Sequence, residues 1–421
     1  MRVSRSKCVS ALFLWAVMFA LFVSGAALNY LGLNYSGDES VSGMKIHPYV
    51  LTTLIAIILL AMSFGTTCSR VFDKRFRVPI ICSVLVIAVL ILRSFGSGRQ
   101  SLGFAVDTLV SALWVGAIVP FLSERVAKRV LQMGFAFVAV ECAMAVIEVV
   151  EKINFIPVET WYGSYFRATA LHGHPLNNAL VLVIVSVSLQ INTARKISVL
   201  IFIGTIGALS AFGARGAIVV YLLVNILWLI RFGMASPGRL VAVMTGGPII
   251  ILILMWILFS GALGDRIANV GAYDDSSGVR LQSIQMLKSL NWSNLIVGTG
   301  PDQVLRIMGQ ENVNVIENFL VAYIFMFGLA CTLLIFLCFW IVARKLSKSW
   351  GEGSGRIVYM IFIVFLMTAL TNNSLVTKTP ALYLCVVFSW AAACVQSAKR
   401  NSVRSAQRLR QESQIVRSAG I

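Results

Sequence analysis

Charged residues are scarce in this chain: Asp, Glu, Lys and Arg together make up only 12% of its 421 residues. A soluble domain has about 25% charged and about 45–50% apolar residues, whereas 58% of this chain is hydrophobic. One water-facing core cannot bury that excess of apolar side chains. The composition therefore excludes a water-soluble enzyme, a small secreted disulfide scaffold and a disordered chain, and it predicts an integral membrane protein.

Motifs for nucleotide and metal binding are also missing. The sequence contains no GxxxxGKS/T loop and no GxGxxG segment after a predicted strand, so an ATP-driven pump is not expected. There are three histidines, and none of the eight cysteines has the spacing of metal ligands. We therefore expect no cofactor and no metal, and we expect the cysteines to be packing residues.

Apolar runs of about 17–25 residues indicate membrane-spanning helices, because only helices and closed barrels satisfy the backbone in hydrocarbon. Twelve such runs are present, at residues 9–30, 48–65, 79–93, 104–122, 132–150, 176–191, 197–213, 217–232, 240–260, 315–342, 357–376 and 380–396. They predict one all-α transmembrane domain over residues 1–396. We expect the basic cytoplasmic tail that follows, residues 397–421, to be disordered or to lie on anionic lipid headgroups.

The distribution of basic residues predicts the orientation of the chain. Of the 35 Lys and Arg residues, 24 lie in the N-terminus, the even-numbered loops and the tail. The opposite side carries 11 basic and ten acidic residues. The positive-inside rule then places both termini in the cytoplasm. The excess of basic residues on one predicted side accounts for most of the net charge of +18. The charge therefore gives little support for a nucleic-acid partner.

Two loops on the predicted external side are long, at residues 151–178 and 261–313. Because the other loops on that side are short, we expect these two to build a functional surface. In the second loop, Ser277 is expected to cap a short helix over residues 279–290, with Ile284 on its apolar side and Ser283 facing elsewhere.

Arg215 is the most unusual residue, because it separates the seventh and eighth predicted spans with almost no loop. An arginine at such a position faces water or a protein cavity rather than lipid. One interpretation is a turn arginine whose side chain extends to the membrane surface. The other is a cation at the bottom of an external cavity that binds an anion, for which phosphate is best suited.

Three acids, Asp107, Glu141 and Glu148, fall inside predicted spans, where acids are costly and usually functional. Asp107 and Glu148 are close to the external ends, so we expect them to reach the surface or to form a pair. Glu141 lies at mid-span, and we expect it to form a structural pair with an interior arginine or polar group.

Several segments between residues 160 and 345 resemble the O-antigen polymerase and O-antigen ligase family of bacterial envelope polysaccharide enzymes. They are AFGARGAIVVYLL around Arg215, SSGVR in the second long loop, the GTGPD turn and ENFLVAYIFMFGL at the next span. Upstream, ALHGHPLNNAL is similar to a segment of the exopolysaccharide polymerase branch. The resemblance implies a GT-C-like fold in the bacterial inner membrane and glycosyl transfer at its periplasmic face, without a metal or a nucleotide sugar.

The resemblance also implies the substrates and partners. The donor is a glycan on undecaprenyl diphosphate, and the acceptor is a sugar hydroxyl of a second lipid-linked repeat. Membrane lipid, and a flippase and a chain-length regulator of the same pathway, are the other implied partners. Glu317-Asn318 stands where ligases commonly have His-Asn. This difference favours a polymerase of exopolysaccharide or O-antigen.

On the family pattern, Arg215 and Arg280 are the arginines that stabilise the leaving diphosphate. Glu317 is the general base for the acceptor hydroxyl if partial burial raises its pKa. The alternative for Glu317 is an acid that only interacts with a helix dipole, and for Arg280 it is a solvated loop charge paired with an aspartate. The expected substrate-binding residues are Arg167, His172, His174, Asn318 and Asp302. Asp302 and the two histidines are also alternative bases. Asn318 and His174 each have a structural alternative: Asn318 as a helix cap and His174 as part of a turn that starts a helix.

Two other functions remain open. An O-antigen ligase performs the same chemistry with lipid A-core as the acceptor. A flippase or secondary transporter of lipid-linked glycans has a continuous polar path at mid-membrane and symmetry between its halves. No convincing repeat relates residues 1–200 to residues 201–400, and the polar residues gather at one face, which favours an enzyme.

Overall fold

The computed structural model describes residues 2–33, 35, 45–63, 73–94, 103–156, 166–234, 236–238, 241, 245–246, 275–299, 301–310, 313 and 316–418. Within these residues all regular secondary structure is helical. In chain order the helices are α1 (Arg2–Phe22), α2 (Gly25–Tyr30), α3 (Pro48–Ser63), α4 (Lys74–Ser94), α5 (Gly103–Phe121), α6 (Glu124–Glu151), α7 (Pro175–Asn192), α8 (Arg195–Ala211), α9 (Arg215–Gly233), α10 (Asp275–Gln285), α11 (Trp292–Val297), α12 (Pro301–Gln310), α13 (Phe319–Lys348), α14 (Gly351–Ala369) and α15 (Ala381–Ser418).

Six helices, α4, α5, α6, α7, α13 and α15, are long and apolar enough to cross a bilayer, and α1, α3 and α14 contain shorter apolar helices. The described residues thus form an all-helical protein that is compatible with membrane insertion. The ninth predicted span, residues 240–260, lies outside the described residues except for 241, 245 and 246. The count of twelve spans and the GT-C-like fold therefore stay predictions.

The two helices α7 and α15 form the centre of the bundle. Residues 381–395 of α15 are buried on every side, which is typical of an apolar helix enclosed by other helices. The Trp390 ring of α15 packs edge-on against Phe13 of α1, with centroids 5.7 Å apart. A Cβ on Gly134 of α6 would lie 2.5 Å from the Phe388 ring. The absence of a side chain at Gly134 therefore lets α6 approach α15 closely.

The helix α13 folds back on itself at Gly328, which corrects the single continuous span predicted at residues 315–342. Gly328 has a non-helical backbone, with φ +78° and ψ 163°. The ring centroids of Phe319 and Phe336 are 6.1 Å apart, whereas 17 residues of continuous helix would separate them by about 25 Å. The arm formed by residues 319–327 therefore packs against the helix that follows it. This reversal determines where Glu317 and Asn318 lie.

Two glycines in direct contact hold this reversal. Gly298, which follows α11, has a φ of +88°, and the next residue, Thr299, donates its backbone N–H to the Phe325 carbonyl at 2.8 Å. A Cβ on Gly298 would lie 2.5 Å from the backbone nitrogen of Gly328, and one on Gly328 would clash with the Ile296 carbonyl oxygen. Only glycine combines this backbone conformation with so close an approach.

The second long loop is partly helical, as predicted, but its helix has different ends and faces. α10 begins at Asp275, so residue 277 lies inside the helix instead of capping it. A 3₁₀ turn, Met286–Ser289, continues the helix. Ser283 is buried and Ile284 is exposed, the reverse of the predicted faces. A small separate core joins this region to the first arm of α13 and contains Met286, Val304, Val313, Ile316, Val321, Ala322 and Phe325.

The basic tail, for which the composition predicts disorder, is helical as far as Ser418. α15 continues from its enclosed apolar half into residues 397–418, and residues 401–407 are exposed. Helix nucleation is unfavourable while propagation is not. The packed half of α15 therefore provides the nucleus, and a tail rich in Arg, Gln, Ala and Ser prolongs the helix into solvent.

Candidate functional site

A short turn between α8 and α9 positions Arg215. Gly213 has a φ of +62°, and its N–H donates to the Ser210 carbonyl at 2.8 Å while that of Ala214 donates to the Leu209 carbonyl at 3.1 Å. A left-handed glycine of this kind ends α8. Arg215, which is half-buried, then begins α9. The structure thus agrees with the near absence of a loop that the sequence predicts here.

The turn after α14 meets the start of α9. A Cβ at Gly216 would lie 2.5 Å from the Cβ of Thr371, so the Gly216 backbone packs directly against the Thr371 side chain. Thr371 donates its hydroxyl to the Thr368 carbonyl at 2.7 Å, which fixes it at the end of α14. Residue 216 therefore has to be small, and Arg215 lies beside the turn formed by residues 370–372.

Glu317 and Asn318 reach the same turn from another direction. The Nδ2 of Asn318 donates to the Leu370 carbonyl at 3.5 Å, and the N–H of Phe319 donates to the Asn372 carbonyl at 3.2 Å. The half-buried Glu317 precedes them. We refer to Arg215, Glu317, Asn318, Thr371 and Asn372 as the polar junction.

Asn318 also caps α13, as its structural interpretation predicts. Its Oδ1 accepts hydrogen bonds from the N–H groups of Leu320 at 2.9 Å and Val321 at 3.3 Å. The cap fixes the direction in which the first arm of α13 leaves the junction. Asn318 is therefore a positioning residue in this structure, and a direct role in substrate binding stays a prediction.

The loop at residues 166–174 joins the edge of the polar junction through Arg167. The Arg167 side chain is buried, and its Nε donates to the Phe212 carbonyl at 2.9 Å. The N–H of the next residue, Ala168, donates to the Ala211 carbonyl at 3.1 Å. These bonds tie the loop to the end of α8, three residues before Arg215. The structure thus brings Arg167 and Arg215 to one turn.

Two carboxylates of α6 hold the same loop by its backbone. Glu148 is fully buried and accepts from the N–H groups of Thr169 at 2.6 Å, Ala170 at 2.8 Å and Phe155 at 2.9 Å. Glu141, also fully buried, accepts from the N–H of Leu171 at 3.2 Å. The sequence predicted a surface-reaching or paired Glu148 and a polar partner for Glu141. The partners are backbone amides of a loop that enters the bundle, with Ala170 in a strained left-handed conformation (φ +36°).

His172 and His174 follow in this loop, and burial lowers the pKa of each to about 4, with the charge of Arg167 adding to the effect at His174. The His172 ring lies 5.9 Å from that of Phe137. His174 immediately precedes α7 and makes no side-chain cap, in agreement with its helix-start interpretation. Nε2 of His172 and Nδ1 of His174 are buried without a hydrogen-bond partner among the described residues. Both rings are therefore neutral near pH 7.

Two predicted site residues, Arg280 and Asp302, are described only by the helices to which they belong. Arg280 belongs to α10 and Asp302 to α12, but their side chains lie outside the described residues. Of the three residues predicted to be catalytic, Arg215 and Glu317 adjoin one turn. The convergence of Arg280 with them stays a prediction.

A second polar cluster lies close to the histidines and was not foreseen as a unit. It consists of Tyr35, His47, Tyr49, Asp107 and Lys378, which we call the Asp107 cluster. Asp107, in a π-helical turn of α5, accepts from the Tyr35 hydroxyl and, at 3.4 Å, from the His47 N–H. Tyr49 donates to the Asp107 carbonyl at 2.6 Å. The Lys378 ammonium lies 4.2 Å from the Tyr35 ring centroid and donates to the Tyr35 carbonyl at 2.9 Å.

Burial lowers the pKa of His47 to about 3, and the positive charges of protonated His172 and of Lys378 act in the same direction. The hydrogen bond of His47 to the Val23 carbonyl has the opposite effect and raises the pKa. The Phe137 ring, which lies 5.9 Å from that of His172, also lies 6.1 Å from that of Phe22, and the next residue, Val23, hydrogen-bonds His47 through its carbonyl at 2.9 Å. The Asp107 cluster and the 166–174 loop are therefore neighbours. An acid inside an apolar run was the only sequence signal for the cluster. The five residues of the cluster come from four separate parts of the chain, so no local pattern could reveal them.

Among the described residues, no group of three or more His, Cys, Asp or Glu side chains has the arrangement of a metal site. The seven cysteines in this part of the chain are free thiols. Six of them are buried or half-buried, namely Cys82, Cys142, Cys331, Cys338, Cys385 and Cys394, and Cys8 is exposed. Cys68 lies outside the described residues.

Comparison of the sequence with models of known protein families and with curated proteins finds no match.

Proposed function

We propose that this protein is a polysaccharide polymerase of exopolysaccharide or O-antigen biosynthesis. It transfers a glycan from undecaprenyl diphosphate to a sugar hydroxyl of another lipid-linked repeat at the periplasmic face of the bacterial inner membrane. The observation that supports this proposal most is the polar junction: Arg215 and Glu317, 102 positions apart in the sequence, adjoin the same turn at residues 370–372.

The charges at the junction suit the proposed chemistry. The acceptor hydroxyl oxygen forms a bond to the anomeric carbon of the donor sugar, while the bond from that carbon to the diphosphate breaks. The diphosphate leaves with the bonding electrons, and Arg215, with Arg167 at the turn between α8 and α9, stabilises its negative charge. Glu317 takes the proton of the acceptor hydroxyl. Arg280 is the further arginine that we propose for the leaving group.

The location of the junction also supports a reaction at the periplasmic face. α6 begins beside the basic residues Arg125 and Arg129 and ends at Glu151, next to the carboxylate that holds the 166–174 loop. Its 28 residues correspond to about 42 Å of helix. The 166–174 loop ties the junction to the end of α6 away from Arg125 and Arg129, which, together with the positive-inside rule, supports the periplasmic location that we propose.

The test in cells uses Arg215→Ala in the producing bacterium, with Arg231→Ala in the last turn of the same helix as the matched control. We expect Arg215→Ala to reduce polymer by about 100- to 1,000-fold, while single lipid-linked repeats accumulate. Arg231→Ala, at an exposed position, leaves polymer length unchanged. Normal polymer from Arg215→Ala at normal membrane abundance would contradict the proposal.

A test with purified protein separates the polymerase from its alternatives. Lipid-linked repeats are extracted from a strain that lacks the protein and are incubated with it in vesicles, without added nucleotide. New glycosidic bonds between repeats indicate a polymerase. Transfer only when lipid A-core is added indicates a ligase, and movement of intact repeats across the vesicle membrane without a new bond indicates a flippase.

A further inference from the structure

A groove between α1 and α6 lies at the end of the bundle where both helices begin, far from the polar junction. It encloses about 770 Å³. Its two ends differ in chemistry: Lys7, Arg125 and Arg129 line it where the helices begin, and Trp15 and Phe22 line it further along. We refer to it as the basic groove.

The three cations at one end leave a positive charge that the protein does not neutralise. Arg125 and Arg129 are one helical turn apart on α6, so both face the groove. The nearby acid, Glu124, binds Lys128 at 2.6 Å instead. Within the described residues, none of the three groove cations forms a salt bridge. This end of the groove therefore attracts an anion, and arginine side chains are well suited to phosphate oxygens.

The rest of the groove is apolar and has the length of a lipid chain. Lys7 and Phe22 are separated by about 22 Å along α1 at the helical rise of 1.5 Å per residue. One leaflet of a bilayer has a hydrocarbon depth of about 15 Å. Trp15 remains 54% exposed although it is large and apolar. A soluble anion would leave these walls uncovered, and an apolar helix would leave the three cations without a counter-charge.

We infer that the basic groove binds one anionic phospholipid of the leaflet at the basic end of the bundle. Its phosphate contacts Lys7, Arg125 and Arg129, and one acyl chain lies between α1 and α6 along Trp15 and Phe22. The site is separate from the polar junction, so the inference does not depend on the proposed function.

The test measures lipid binding to the purified full-length protein by native mass spectrometry after delipidation. Phosphatidylglycerol, phosphatidylcholine and inorganic phosphate are the probes. We expect one phosphatidylglycerol per protein, bound in preference to phosphatidylcholine and not displaced by inorganic phosphate. Arg125→Gln with Arg129→Gln weakens phosphatidylglycerol binding by at least about tenfold, because charged hydrogen bonds to the phosphate are lost.

Two further variants separate the groove from a general effect of charge or folding. Arg344→Gln with Lys348→Gln removes two exposed charges at the same end but outside the groove, keeps the Glu124–Lys128 pair intact, and leaves binding unchanged. Ala136→Trp keeps every cation and fills the apolar part at an exposed position, so it also weakens binding. Equal binding of phosphatidylcholine, displacement by inorganic phosphate, or unchanged phosphatidylglycerol binding by the Arg125/Arg129 variant would each overturn the inference. Thermal melting checks that every variant is folded.

Discussion

The Asp107 cluster and the polar junction lie toward the same end of the bundle, but they differ in how far their charged side chains are exposed. In the cluster, Asp107 is fully buried and Tyr35 is 3% exposed, and the carboxylate is engaged by protein donors. In the junction, Arg215 and Glu317 are half-buried. A fully enclosed charge serves the fold, whereas a charge at a partly exposed position can also be reached by a substrate.

The largest effect that we expect from this difference is on turnover at the junction. Glu317→Gln removes the proposed base and lowers the rate of polymer formation by about 10²- to 10⁴-fold, with little change in melting temperature. The measurement is polymer yield from lipid-linked repeats together with a thermal melt. Glu151→Gln, an exposed carboxylate at the end of α6, is the control. If Glu317→Gln turns over normally, Glu317 is not the base.

The next effect concerns the reversal that places Glu317 beside residues 370–372. Gly328→Ala introduces a side chain at positive φ against the Ile296 carbonyl, and we expect it to lower the free energy of unfolding by about 2–5 kcal/mol. The control is Gly207→Ala in α8, where a Cβ meets nothing within 4 Å and where we expect a gain of up to about 1 kcal/mol. If the two variants were equally stable in a denaturant titration, the fold would not require glycine at the reversal.

For the cluster we expect a loss of stability rather than of chemistry. Asp107→Ala leaves the buried Tyr35 hydroxyl and the His47 N–H without their acceptor, and it lowers the free energy of unfolding by about 1–3 kcal/mol. As the control, Lys128→Ala breaks an exposed pair with Glu124 and costs less than about 1 kcal/mol. A folded, stable Asp107→Ala protein that fails to make polymer would give the cluster a direct catalytic role. It would contradict our assignment of the cluster to stability and of the junction to chemistry.

The smallest effect is a dependence of stability on pH. His172 and His174 have pKa values of about 4 in the folded protein and about 6.5 when unfolded. The unfolded chain therefore binds more protons between these values, so stability falls as the pH drops from 6.5 toward 4 and levels off below 4. The loss between pH 7 and pH 5.5 is about 1 kcal/mol per histidine.

Melting temperatures of the wild type and of His172→Gln with His174→Gln over this range check the expectation. The double variant should have a flatter profile. A residual slope of the same sign is expected from His47, whose folded pKa is also low. A wild-type profile that rises toward pH 5 would show that the histidines are charged in the folded protein.

Sequence reasoning succeeded where a property depends on neighbouring residues. Apolar runs predicted helices such as α6 and α7, and the Ala214-Arg215-Gly216 segment predicted a short turn followed by a helix. It failed where contacts between residues far apart in the sequence determine the structure. The reversal at Gly328 depends on Gly298, 30 residues away, and a hydropathy window records Gly328 only as part of an apolar run.

The same distinction applies to the site. Arg215, Glu317 and Arg167 could be selected from the sequence, but their common position at the turns around residues 211–216 and 370–372 could not, because residue 371 carries no local signal of its contact with Gly216. Likewise, Glu141 and Glu148 were identified as unusual acids, while their backbone partners in the 166–174 loop depend on that loop entering the bundle.

The sequence by itself determined that this chain is helical and apolar and where most of its helices lie, because hydrophobicity is a property of each segment. Only the tertiary structure decided which acids are enclosed and which polar residues meet at the junction. Those outcomes depend on packing between segments that are far apart in the chain, where the enclosure of a carboxylate or the absence of one Cβ selects a single arrangement.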